Sequence, residues 1–335
     1  MMADVQKLFE RFHRDIRTYY EINEKLRSKK TIIVNRIQDH LRKNDRPVCS
    51  EYIQGSYKMK VGILALEGAE YDIDVGLRFS FDDKKYMPGT VRGWVFEAVK
   101  DHTDDVKEMG PCIRVTYKDG YHVDLVCYAW WDDEFGAEQH RLAHKASGWR
   151  SANPPKLVQY VRDARRPFEG TEDSSTQTDQ FRRVVRYLKR WNDNAIRGES
   201  DEKPSGLALV LLTKQHLTAS ALTWDGAADD RLAVERVARA AAETVGRITA
   251  TKPTPEGEDM FGRLSESGMR ELKERFAALR DALIDAQREP DASKACVRLK
   301  EVFGDDFPCP DPDGGKRDEA LRTSAPAVVP SSSSA

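Results

Sequence analysis

Long apolar runs are missing from this chain: nowhere do 18 hydrophobic residues follow one another, and the opening MMADVQKLFERFHRD is charged from its fourth residue. Such a text predicts neither a transmembrane helix nor a secretory signal, and a cytosolic protein is expected. Cysteine is scarce. Cys49, Cys112, Cys127, Cys296 and Cys309 form an odd set without C-x-x-C spacing, which argues against a disulfide framework and against a zinc knuckle. The five are read as reduced thiols. Net charge is nearly nil, −2 from 54 Lys and Arg against 56 Asp and Glu in 335 residues, so no global field recruits nucleic acid or an anionic membrane. No obligate nucleic-acid partner is expected, and any polyanion has to be held by a local patch. Two catalytic signatures are absent as well. GILALEG lacks the lysine of a phosphate-binding G-x-x-x-x-G-K-[ST] loop, and EQHRLAHKA spaces His140 and His144 for one helix face without the glutamate of H-E-x-x-H. A P-loop ATPase and a zinc hydrolase are thereby set aside.

What is present is a change of period along the chain. Apolar residues from Val5 to Leu26, resuming from Ile32 to Leu41, follow helical spacing and predict a long N-terminal helix broken near Ser28. Strand patterns come next: PVCSEYIQGS, YDIDVGLRFSF, CIRVTYKDG and YHVDLVCYAW, the last two joined at Asp119-Gly120, a hairpin turn. From Thr178 the text is helical again, with TKPTPEGEDM as a loop between helices; beyond Phe307 it turns to Pro, Asp, Gly and Ser. The expected fold class is α+β. A catalytic core with a mixed sheet and the long N-terminal helix takes residues 1–150, a helical lobe takes 151–308, and a disordered tail takes 309–335.

One strand carries the chemistry. In YDIDVGLRF, Ile73, Val75, Leu77 and Phe79 alternate onto one face and leave Asp72 and Asp74 together on the other. Two such carboxylates lie roughly 6 to 7 Å apart along a strand, which suits oxygen ligation of paired hard cations. In YHVDLVC, Asp124 opposes Val123, Leu125 and Cys127 in the same grammar. If the strands are neighbours, three carboxylates converge. Upstream, Gln54-Gly55-Ser56 ends a strand where a glycine lets backbone approach a ligand and a serine hydroxyl with free amides can hold phosphate oxygens. Taken singly, each of these is a common surface feature; their ordered combination is far more specific.

That order, G-S, then D-x-D, then a single aspartate on a later strand, resembles the nucleotidyltransferase superfamily that includes DNA polymerase β and oligoadenylate synthase. Over residues 3 to 308 the chain is similar to the bacterial cGAS/DncV-like nucleotidyltransferases, the CD-NTases, through QGSY, YDIDVG, HVDLVCYA, VVRYLKRWND, PSG and KEVFGDDFP. The resemblance implies a polymerase β-like nucleotidyltransferase core joined to a C-terminal helical lobe. It implies that Asp72, Asp74 and Asp124 hold two Mg²⁺ ions, with Mn²⁺ an acceptable substitute. It further assigns nucleotide binding to Gln54, Gly55 and Ser56, to Lys189 in place of a triphosphate-gripping lysine, to Ser205, and to Asp259 near the base. The implied activity is synthesis of a cyclic oligonucleotide messenger, most simply a cyclic dinucleotide, from ribonucleoside triphosphates including ATP, in anti-phage signalling. Conjugation through Ala335 by ubiquitin-transfer-like machinery is implied for the tail. Two competitors share the aspartates: a transferase that adds nucleotides to RNA or AMP to protein, and a degenerate nucleotide-binding scaffold.

Two local readings stay open. Arg182, Arg186 and Lys189 recur along DQFRRVVRYLKRWNDNAI either as a phosphate-facing ridge or as a solvated face, and Ser205 before GLALVLL is also an ordinary helix N-cap.

Overall fold

The computed structural model describes residues 5–18, 20–67, 71–197 and 200–309, so the expected tail lies outside the described residues from residue 310 onward. In chain order the elements are α1 (Gln6–Ile16), α2 (Tyr20–Lys43), β1 (Ser50–Ile53), α3 (Gly55–Met59), β2 (Tyr71–Phe79), α4 (Pro88–Val99), β3 (Asp105–Glu108), β4 (Ile113–Tyr117), β5 (Tyr121–Asp132), β6 (Glu138–His144) and β7 (Gly148–Ser151). Helices then dominate: α5 (Pro154–Arg165), α6 (Gln180–Ala195), α7 (Gly206–His216) and α8 (Asp230–Glu243), a hairpin of β8 (Thr251–Pro253) and β9 (Glu256–Asp259), then α9 (Glu266–Arg288) and α10 (Ala292–Phe303). The class is α+β, as the change of period predicts.

The first half is a mixed sheet in the order β1-β2-β5-β4-β3, with β6 and β7 continuing from the far part of β5. Only the β2–β5 pair is parallel among the named pairings of this sheet. Alternation decides what each face does. Ile73, Val75, Leu77 and Phe79 join Val123, Leu125 and Cys127 against Ile33, Ile37 and Leu41 of α2 and Val91, Val95 and Val99 of α4, all buried. The carboxylates are left on the opposite face. Gly120, at φ +79°, closes the β4–β5 turn. Buried Arg92 ties α4 to the sheet, donating to the carbonyls of Met109, Cys112 and Ala143 at 2.8 to 3.1 Å.

The second half packs around α6, whose sides are nearly all buried. Its core also takes Phe9 and Phe12 of α1, which meet Tyr187, Phe303 and Phe307 at centroid distances of 5.0 to 5.7 Å. Arg183 pairs with Asp230 through two bonds of 2.7 and 2.8 Å, and the Tyr187 hydroxyl donates to Phe9 O and to Asp230. Helix α1 is therefore fastened to the helical half by its rings and by the Tyr187 bond to Phe9 O.

His13 of α1 reports on that fastening. It is fully buried, with Arg186 Nη1 at 2.7 Å from its Nε2 and Asp173 at 3.9 Å from its Nδ1. Burial first, then Arg186, push its pKa down to about 2, with Arg183 and Arg17 adding to the fall and Asp173 opposing it. Unfolded imidazole protonates near 6.5 and the folded one does not, so stability is lost as pH drops below 6.5. By pH 5 the loss from this group is ~2 kcal/mol. Urea titrations at pH 7 and pH 5 should show most of that difference disappearing in His13→Gln; an unchanged difference would relieve His13 of the role.

Several expectations are corrected. The N-terminal break falls between α1 and α2, where Arg17 pairs with Ile63, and Ser28 lies inside α2. EQHRLAH forms strand β6, because a four-residue interval returns to the same face in a strand as well as near it in a helix. TKPTPEGEDM contains the β8–β9 hairpin, and α4 and α5 were not foreseen. Cys296 and Cys309 form a disulfide: the chain reverses after α10 and returns Cys309 to it. The other three cysteines are free and buried. Among the described residues, no helix is long and apolar enough to cross a membrane.

Candidate active site

Strand register builds the site. In the parallel β2–β5 pair Asp72 stands beside His122 and Asp74 beside Asp124, so four polar side chains occupy one patch of the sheet face away from the core. Asp72, His122 and Asp124 each place one ligand atom within 4.8 Å of the other two. An octahedral divalent cation with bonds of about 2.0 to 2.2 Å spans roughly 3 Å between adjacent ligands and roughly 4.3 Å across, so the donors fit such an ion with small adjustments. Electrostatics points the same way. Burial and then Asp124 raise the pKa of Asp72; burial, Asp72 and Asp124 raise that of Asp74 well above the ordinary carboxylate range. Carboxylates crowded in this way are stabilised by a cation.

Asp124 is held firmly. Arg114, its cross-strand neighbour on β4, donates from Nε to Oδ1 and from its terminal nitrogen to Oδ2, both at 2.9 Å. This is a fork-to-fork pair that fixes the plane of the carboxylate.

Above the aspartates lies the turn into α3. Gln54 donates its backbone N–H to Asp74 O at 3.2 Å, and its side-chain oxygen accepts from the Tyr128 hydroxyl at 3.0 Å. Gly55 has φ +65°, and a Cβ there would lie 1.7 Å from Asp74 Oδ2. Only glycine permits both the backbone shape and this approach. Ser56 follows directly in α3, its carbonyl accepting from Val61 N.

The segment after α3 connects this turn to α6. Arg186 donates to the carbonyls of Lys60 and Gly62, Lys189 to Val61 at 3.2 Å, and Arg190 to Leu64 at 2.7 Å. The basic residues of α6 thus form neither a solvated face nor a bare phosphate ridge. Arg182 and Arg186 are buried on internal acceptors, Arg182 on Asp179 and Gln177 O. Lys189 is the member that feels Asp72 and Asp74: burial lowers its pKa, while Asp193 and Asp72 pull upward. Ser205 caps α7, accepting from Ala208 N at 3.2 Å, and a Cβ on Gly206 would come within 3.0 Å of Lys189 Cε. Asn192 Nδ2 donates to Pro204 O at 3.0 Å and holds this corner to α6.

The structure therefore brings Asp72, Asp74, Asp124 and Gly55 together, with Lys189 near enough to feel Asp72 and Asp74 and itself set against Gly206 beside Ser205. Asp259 is placed otherwise. Its carboxylate accepts from Ala250 N at 2.9 Å and Phe261 N at 3.1 Å, tying the β8–β9 hairpin. His122 and Arg114 were missed in the sequence, although His122 shares the parity of Asp124 in YHVDLVC and so its face.

Residues 50–128 match the family described as cyclic GMP-AMP synthase DncV-like, nucleotidyltransferase domain. The chain is similar in structure to a deletion mutant of the Vibrio cholerae di-nucleotide cyclase DncV, at TM-score 0.76 and 16% identity, covering 92% of this chain and 97% of that one. It is also similar to Vibrio cholerae DncV in complex with the linear intermediate 5′ pppA(3′,5′)pG, at TM-score 0.70, 14% identity, and 88% and 92% coverage. Escherichia coli DncV bound to 3′-deoxy GTP matches at TM-score 0.70, 15% identity, and 88% and 93% coverage. Residues 50–128 therefore match a DncV-like nucleotidyltransferase domain, set in a chain with the DncV fold.

Proposed function

We propose that the protein joins ribonucleoside triphosphates, ATP among them, and closes the product into a cyclic oligonucleotide, most simply a cyclic dinucleotide. The observation that carries this reading is the three-carboxylate patch roofed by Gly55 and faced by Lys189, within a DncV fold. The residues up to about 150 would act as the catalytic core and 151–308 as the lobe that grips the triphosphate. Asp72, Asp74 and Asp124 would hold two Mg²⁺ ions. Such ions supply the positive charge that makes an acceptor hydroxyl more acidic and offsets charge on the departing pyrophosphate.

The chain's own groups set the geometry. Arg114 locks the orientation of Asp124, and the Val61 carbonyl holds the Lys189 ammonium where it can donate to phosphate oxygens. Ser56 and Ser205 would offer their hydroxyls, Gly55 removes the side chain that would block backbone approach, and Gln54 is braced by Tyr128. Asp259 would meet a base through Oδ2, since Oδ1 already accepts from Ala250 N and Phe261 N. By the family resemblance, the product would serve anti-phage signalling in the cytosol.

Incubating the full chain with Mg²⁺ and the four ribonucleoside triphosphates, followed by phosphatase treatment and mass spectrometry, tests the reading. A phosphatase-resistant product lacking a terminal phosphate is expected. Products that lose phosphate on that treatment, revealing an open end, would overturn cyclisation.

A further inference from the structure

The patch on β2 and β5 has four corners, and one of them is not a carboxylate. Asp72, Asp74 and Asp124 supply oxygens; the corner beside Asp72 is His122, whose Nε2 lies 3.5 Å from Asp72 Oδ1. His122 is 8% exposed and extends from the same face of β5 as Asp124. It is well suited to ligation, because its nitrogen lies within the 4.8 Å set shared with one oxygen of each flanking aspartate.

Building on the proposed two-metal reading, we propose that His122 is a metal ligand, giving one of the two cations a mixed nitrogen and oxygen environment and a preference for Mn²⁺ over Mg²⁺. The chemistry follows from donor type. Mg²⁺ is a hard ion that takes oxygen and parts reluctantly with its waters, whereas a first-row transition ion gains from an imidazole nitrogen. Three carboxylates alone would serve either ion. Exchanging the fourth corner for nitrogen tilts the site toward Mn²⁺ without removing its charge. Arg114 assists by occupying one lone pair on each Asp124 oxygen, so that the carboxylate presents a fixed edge to the ion.

The test reads the metal and not turnover. Pulsed electron paramagnetic resonance of Mn²⁺ bound to the full-length protein should show the hyperfine modulation of a directly bound imidazole nitrogen. His122→Asp, which restores an oxygen corner, should keep Mn²⁺ binding, lose the modulation, and lower the Mn²⁺-over-Mg²⁺ affinity ratio by roughly tenfold or more in competition titrations. Mn²⁺ bound in an Asp74-dependent manner without nitrogen modulation would overturn the role of His122 and leave the proposed activity standing; it would make the imidazole a hydrogen-bond partner of Asp72 outside the coordination sphere. Modulation that persists in His122→Asp would overturn it too. Failure of Mn²⁺ to bind, or equal binding when Asp72 and Asp124 are both replaced by Asn, would overturn both.

Discussion

Asp74→Asn is expected to lower product formation by at least about 10³-fold while making the metal-free protein more stable. The catalytic loss follows from removing a cation ligand whose charge stabilisation is worth several kcal/mol in the transition state. The gain in stability follows from the pKa of Asp74, which burial, Asp72 and Asp124 raise well above the ordinary range. A raised carboxylate favours the folded state when protonated, so this contribution is present at low pH and is lost as pH rises through the folded value. At pH 7 the wild-type chain without metal carries that penalty and the amide does not. Melting curves in chelator should place the variant above wild type, and added Mg²⁺ should raise wild type more than the variant. A variant that melts below wild type in chelator would mean the carboxylates are not strained by one another.

The second large effect belongs to a residue with no side chain. Gly55→Ala is expected to reduce turnover by about 10²-fold or more, since a new Cβ would lie 1.7 Å from Asp74 Oδ2 and the ligand must move by an ångström or so. Gly226 is the control. It has φ +86° and nothing within 4 Å of a Cβ, so Gly226→Ala carries the cost of a left-handed alanine, about 1 kcal/mol or somewhat more, without touching the site. Comparable loss of turnover in both variants would show that backbone strain, and not the approach to Asp74, is responsible.

How much of this was legible depended on whether neighbours in sequence were also neighbours in space. The period of YDIDVGLRF defines a strand, its two faces and the pairing of Asp72 with Asp74, because alternation is a local property. The meeting of Asp74 with Asp124 is not local. It came from the order of motifs, and the parallel register supplies it. Arg186 and Arg190 of α6 were illegible for a different reason. Their acceptors are the backbone carbonyls of residues 60, 62 and 64, and no residue type announces an unsatisfied carbonyl more than a hundred positions away. That same contact explains the long stretch between Ser56 and Asp72, part of which forms the strip that α6 grips. The helix α4 was hidden by its composition: PGTVRGWVFEAV mixes two glycines with β-branched residues, weak helix formers that tertiary packing overrides. The disulfide was hidden by spacing, since a bend after Phe303 brings Cys309 back to α10.

The aromatic cluster of Phe9, Phe12, Phe303 and Phe307 has a consequence for biosynthesis. Helix α1 is synthesised well ahead of α10, and two of the rings it packs against lie about 290 residues later. At about 5 to 20 residues per second, α1 waits roughly 15 to 60 s for them. The sheet with Asp72, Asp74 and Asp124 can fold during that interval, but α6, which packs beneath the same rings and carries Lys189, settles only when α10 closes on α1. A nascent chain should therefore be able to present its carboxylates to metal well before it can close the grip of Lys189 on a triphosphate.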